Sequence, residues 1–180
     1  MRHLLRISGL IDALTAVAGR LANVLILLSC VVSATNAMMR YGFDVSDNWP
    51  LELQWYFFGA AVMLGSAYTL QRNEHVRVDL LYGHISDRAR AWVDLCGTLF
   101  FLLPICAFFS WLSWKTLFVP SYNILEQSPN AGGLPRYPIK LLLPLGFALL
   151  LLQGLSETVK RLAALNGAAA QQTAYERPLQ

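Results

Sequence analysis

The segment from Trp49 to Leu81 confines this chain to a membrane-embedded fold. Its central run, Leu53 to Leu70, holds 18 successive residues without a formal charge. As a helix that run is about 27 Å long, against a hydrocarbon core of about 30 Å. Glu52 stands at its entry, and Arg72, Glu74, His75 and Arg77 follow its exit. An apolar run bounded by an acidic side and a basic, histidine-containing side is a membrane helix with a preferred orientation.

Three more runs have the same character: Leu21 to Met39, Trp92 to Phe118 and Ile139 to Leu155. The expectation is an all-α integral membrane bundle of four transmembrane helices, with spans near 21–39, 52–70, 92–118 and 139–155. One domain covers 1–163, a mobile tail covers 164–180, and an amphipathic segment lies along the interface between helices 2 and 3. With 56% hydrophobic residues and a mean hydropathy of +0.44, the chain is more apolar than a soluble domain of this size. A cleavable signal peptide fits poorly. The first long apolar run starts only after Arg20, is too long for a signal core, and runs into Asn36 and Arg40 without a small-x-small site. The mixed segment from Leu4 to Arg20 reads as a helix entering through the interface.

Charge fixes the expected orientation. Arg2, Arg6, Arg20, Arg72, Arg77, Arg88, Arg90, Lys160, Arg161 and Arg177 flank one side, ten of the fourteen basic residues. Arg40, Lys115, Arg136 and Lys140 lie on the other, beside acidic Asp44, Asp47 and Glu52. By the positive-inside rule both termini are cytoplasmic. The basic residues are divided among membrane-flanking segments, which argues against nucleic-acid binding. Trp49, Trp55, Trp111 and Trp114 mark the outer interface and Trp92 the inner one.

Several faces invite helix contacts. Ser29, Ser33, Asn36 and Arg40 share one face of the first span. Glu52, Gly59 and Ser66 recur every seven residues on the second, and Ala61, Gly65 and Thr69 form a small-residue ridge at intervals of four. Packing within the bundle and contact with a partner protein both explain these faces. Arg40 and Glu52 flank one short hairpin, so an ion pair between them is expected to fix it. From Gln71 to Arg90 apolar Val76, Val78, Leu80, Leu81 and Ile85 alternate with His75, Arg77, Asp79 and His84, as in an interfacial segment. Ser86 and Asp87 offer an N-cap for the third helix, and Arg90 and Asp94 have pairing distance along it. Pro104 and Pro144 are expected to kink their helices. The Pro- and Gly-rich stretch from Ser128 to Lys140 reads as a shaped turn.

Catalytic chemistry is missing from the pattern. His3, His75 and His84 lie outside the spans, so they cannot ligate a haem from within a bundle. Cys30, Cys96 and Cys106 show no C-x-x-C spacing and read as small buried apolar residues. There is no phosphate-binding glycine loop, no G-x-S-x-G and no internal repeat. No enzyme activity, cofactor or metal site is expected. A coupling-ion site also lacks buried ionisable residues at mid-span. The chain reads as a helper of another chain.

RYGF from Arg40, WPLEL, FFGAAVMLGSAYTL and EHVRVDLL from Glu74 resemble the small membrane subunit of tripartite ATP-independent periplasmic (TRAP) transporters, the DctQ type. GGLPRYPIKLLLPLGFALLLLQ from Gly132 resembles that family's second signature. The resemblance implies a bacterial inner-membrane complex with a large permease of the DctM type and a periplasmic binding protein of the DctP type. It implies sodium-driven uptake of organic acids or similar carboxylate-bearing solutes, with sodium and substrate sites on the large subunit. Permease contact is expected on Glu52, Gly59, Ser66, Ala61 and Gly65. An anchoring role falls to His75, Arg77 and Asp79, and binding-protein contact to Arg136 and its loop. A membrane anchor for a redox enzyme and a tetraspan scaffold unrelated to transport are the alternatives.

Overall fold

The structure is a computed structural model that describes residues 2–73 and 86–165. The described residues are helices and connecting turns. Helix α1 is Arg2–Phe43 and α2 is Asn48–Arg72. A third rod, α3, spans residues 87–123 in five pieces, and α4 is Tyr137–Leu165.

The 42 residues of α1 make one helix, about 63 Å long. The segment from Leu4 to Arg20, read from sequence as a separate interfacial entry, is its first half. No proline precedes Pro50, and nothing else interrupts the backbone ladder. In α2, Pro50 falls in the first turn, where its missing N–H leaves no gap. That helix closes on Asn73 in the left-handed conformation (φ 60°), whose N–H donates to Leu70 O.

Ser86 caps α3 as its sequence position suggested, accepting from Ala89 N at 3.4 Å. Two π-helical turns interrupt this rod, Thr98–Leu102 and Trp114–Phe118. They end with Leu103 N–H on Thr98 O and Val119 N–H on Trp114 O. Each precedes a proline, Pro104 and Pro120. A proline ring clashes with the carbonyl four residues back, and widening the ladder to five residues is one way to accommodate it. Pro144 sits buried inside α4, and the Ser110 hydroxyl donates to its carbonyl at 3.0 Å, tying α3 to α4.

Helices α1, α2 and α4 pack against one another, while α3 packs on α4. Ser29 donates to Gln54 O, and Gly65 lies against Ala22 Cβ, so α1 and α2 are antiparallel. One end of the bundle carries the hairpin 44–47 and the loop 124–136; the other carries both ends of the described chain. The core is built of small residues, Ala18, Ala22, Ala60, Ala61, Ala67 and Ala163, while Leu10, Leu14, Phe100, Phe101 and Phe108 face outward. Close backbone approach with apolar side chains turned out is how helices pack in lipid. Three helices, within His3–Phe43, Arg88–Asn123 and Tyr137–Leu165, are long and apolar enough to cross a membrane. The bundle is therefore that of a multi-pass membrane protein. Helix α2 carries more polar side chains, and two of them bond to neighbouring elements: Tyr56 Oη donates to Pro135 O at 2.6 Å and Gln71 Nε2 to Asp12 O at 3.0 Å.

Candidate functional site

Glu52 organises the hairpin end. Its position at the start of the second turn of α2 places the carboxylate under the loop 124–136, where only 3% of the residue is exposed. Oε1 accepts from Asn130 Nδ2 at 2.8 Å and from the Ser128 hydroxyl, and Oε2 accepts from Leu134 N at 2.6 Å. A carboxylate bonded three times by neutral donors can remain charged at the membrane edge. The loop is built for this approach. Gly132 takes φ +71°, and a Cβ on Gly133 would lie 2.7 Å from Glu52 Oε2 and 2.5 Å from Ser128 Cβ. Asn48 Nδ2 holds Ala131 O at 2.9 Å from the side.

The loop is closed onto α4 by Glu126. Its backbone carbonyl accepts from Arg136 N at 2.8 Å, and its carboxylate is ion-paired with Lys140. The Lys140 hydrogen bond holds the Glu126 carboxyl below its usual value near 4.5. Arg136 and Lys140, with Trp55, Tyr56, Ile139 and Glu52, line an open pocket of about 270 Å³ between the second and third turns of α2 and the start of α4.

The expected Arg40–Glu52 pair does not form. The α1–α2 register puts Glu52 opposite positions 31–35, so Arg40 lies roughly 10 Å further along α1. Arg40 is exposed and stacks over Tyr41 with 5.8 Å to the ring centroid. The residues expected to face a partner permease have these neighbours within the chain. A Cβ on Gly59 would touch Ile139 of α4 at 3.4 Å, Gly65 faces Ala22 of α1, and Ala61 is buried. Ser66 and Thr69 turn their hydroxyls back to Met63 O and Gly65 O. His75, Arg77 and Asp79 lie outside the described residues.

The opposite end holds a polar cluster that the sequence reading missed. Gln153, fully buried, accepts from Thr15 Oγ1 at 2.8 Å and donates to Asp12 Oδ1 at 2.9 Å and Glu157 Oε1 at 3.0 Å. Ser156 donates to Asp12 Oδ1 at 2.9 Å and shares a 2.6 Å contact with the Ser8 hydroxyl. Lys160 Nζ reaches Asp12 Oδ2 at 3.1 Å and also pairs with Glu157. Asp94 of α3 is ion-paired with Arg161 of α4. The signal in the sequence was Asp12, a lone acid in an otherwise apolar and basic segment, with Ser8 and Thr15 on the same helical face. Among the described residues no group of three His, Cys, Asp or Glu side chains can hold a metal ion. Cys106 is buried, but Cys30 and Cys96 are exposed, against the expectation that all three are buried.

Ser128, Asn130 and Leu134, which cradle Glu52, belong to the Pro- and Gly-rich stretch from Ser128 to Lys140, so two segments singled out in the sequence meet at one carboxylate. Residues 29–164 match the family model for tripartite ATP-independent periplasmic transporters, DctQ component. The chain belongs to the DctQ family. The match takes in the last third of α1, all of α2 and α3, and nearly all of α4, so the loop collar around Glu52 and most of the polar cluster at the other end lie within it; Ser8, Asp12 and Thr15 precede it. No curated protein and no solved structure matches the chain. As a DctQ component the chain is a transporter part.

Proposed function

We propose that this chain is the small permease subunit of a TRAP transporter that takes up an organic acid, or a similar carboxylate-bearing solute, on a sodium gradient. Its partners are a large DctM-type permease and a DctP-type periplasmic binding protein. It resides in the bacterial inner membrane, all four rods cross, and both termini face the cytoplasm. The observation that carries the reading is the DctQ match over residues 29–164. The distribution of basic residues supports the orientation.

With Gly65 of α2 beside Ala22 of α1 and Gly59 beside Ile139 of α4, the broader apolar surface open to a large permease is the outward face of α1, with Leu10, Leu14, Val17 and Leu21, and that of α3, with Phe100, Phe101, Phe108 and Trp111. The hairpin 44–47 and the loop 124–136 share the end that faces the binding protein. The test is uptake into liposomes holding the large permease with and without this chain, with binding protein and labelled solute outside. Uptake that needs this chain and an inward sodium gradient is the expected result. Equal uptake without the chain, or with potassium replacing sodium, overturns the reading.

A further inference from the structure

The pocket between the second and third turns of α2 and the start of α4 has a chemistry that nothing above uses. Its two anionic neighbours are already bonded: Glu52 by Ser128, Asn130 and Leu134 N, and Glu126 by Lys140. Arg136 offsets both charges through space, yet its guanidinium makes no hydrogen bond or ion pair among the described residues. Its donors border a cavity of about 270 Å³ whose remaining wall is Trp55, Tyr56 and Ile139. Trp55 is 61% exposed, and Trp49, Trp111, Trp114 and Tyr122 are also exposed toward this end of the bundle. Amphipathic rings are enriched where hydrocarbon gives way to headgroups.

We infer that this pocket binds the phosphodiester of a membrane phospholipid from the leaflet at the hairpin end. The guanidinium fork matches phosphate oxygens in pairs. Basic pockets between membrane helices are headgroup sites on the same grounds. The apolar wall suits the glycerol and first acyl carbons, and the outward stripe Trp55, Phe58 and Val62 continues down α2 beneath it. A free phosphate would leave that wall wet, which favours the lipid as the source of the group. The bound lipid then ties α2 to α4 beside the loop that covers Glu52.

The test is native mass spectrometry of the full chain in detergent, titrated with phosphatidylglycerol. Loss of one charge-assisted hydrogen bond corresponds to about tenfold in affinity, so R136Q is expected to weaken the tightest lipid by at least about that factor. R136K, which keeps the charge but not the paired fork, should bind with an affinity between those of wild type and R136Q. K115Q, an exposed cation toward the same end but outside the pocket, should retain all of the binding. Helix content is checked by circular dichroism; if R136Q is misfolded, W55A, which trims the facing wall, carries the same expectation. Equal lipid affinity in wild type and the folded variant overturns the inference. Displacement of the lipid by excess inorganic phosphate overturns the lipid as the source. Unchanged lipid binding in R136Q with loss of binding-protein capture gives the pocket to a protein carboxylate and also refutes the proposal.

Discussion

Thr15 and Gln153 join α1 to α4 through one buried hydrogen bond of 2.8 Å, with neither residue exposed. Thr15→Val keeps the side-chain shape and removes the hydroxyl, leaving the Gln153 carbonyl without that donor. Gln153→Leu removes the acceptor and also the amide bonds to Asp12 and Glu157. An unsatisfied buried group costs about 1–3 kcal/mol in soluble proteins. Between membrane helices, measured couplings average about 0.6 kcal/mol and reach about 1.7. A dry pair beside Asp12 belongs in the upper half of that range, so a coupling of about 1 kcal/mol is expected. Thr15→Val should destabilise the wild type by about that amount and be neutral in the Gln153→Leu background, where the hydroxyl has lost its partner. Equilibrium unfolding in mixed micelles, run on the four members of the cycle, measures it. An equal cost of Thr15→Val in both backgrounds would refute the claim that this bond joins the helices.

Two glycines of α4 should respond differently to alanine. At Gly146 the added Cβ meets Met63 Cβ at 2.7 Å and Met63 Cα at 3.2 Å; α2 itself must move, at a cost of about 1–3 kcal/mol. At Gly154 its tight contacts are with the far ends of Leu102 and Leu103, and Thr98 Cγ2 lies at an ordinary 3.8 Å, so thermal unfolding should show G154A clearly milder than G146A. The Glu126 carboxyl is held below its usual value by Lys140, so its contribution is fully present above about pH 4.5 and disappears as pH falls through the lowered value. Protease resistance of the loop 124–136 should weaken over that acid range, and Lys140→Met should abolish this dependence.

The helices of α2, α3 and α4 were legible because charge-free runs, interfacial tryptophans and the Ser86 cap are local signals. The shaped turn after Ser128 was legible for the same reason, as Pro and Gly restrict the backbone wherever they stand. Which charge meets which was not. Arg40 and Glu52 are near in sequence, but helical register separates them by roughly 10 Å, and Glu52 is met by a loop 76 or more residues away. Asp12, Gln153 and Lys160 come from opposite ends of the chain, and no spacing rule links them. The small-residue ridge of α2 was visible as a ridge, but sequence carries no label for whether its own neighbours or another chain fills it.

The central claim is that this DctQ chain works as a fixed part of a larger membrane complex. Co-expression with a large DctM-type permease, followed by affinity capture through a tag on this chain, tests it most directly. The account predicts that the permease is retained through detergent washes and size exclusion as one species. It also predicts that charges placed on the outward faces, at Leu14 or Phe108, release it while helix content is kept. Migration of this chain apart from the permease, with its helix content intact, would contradict the account.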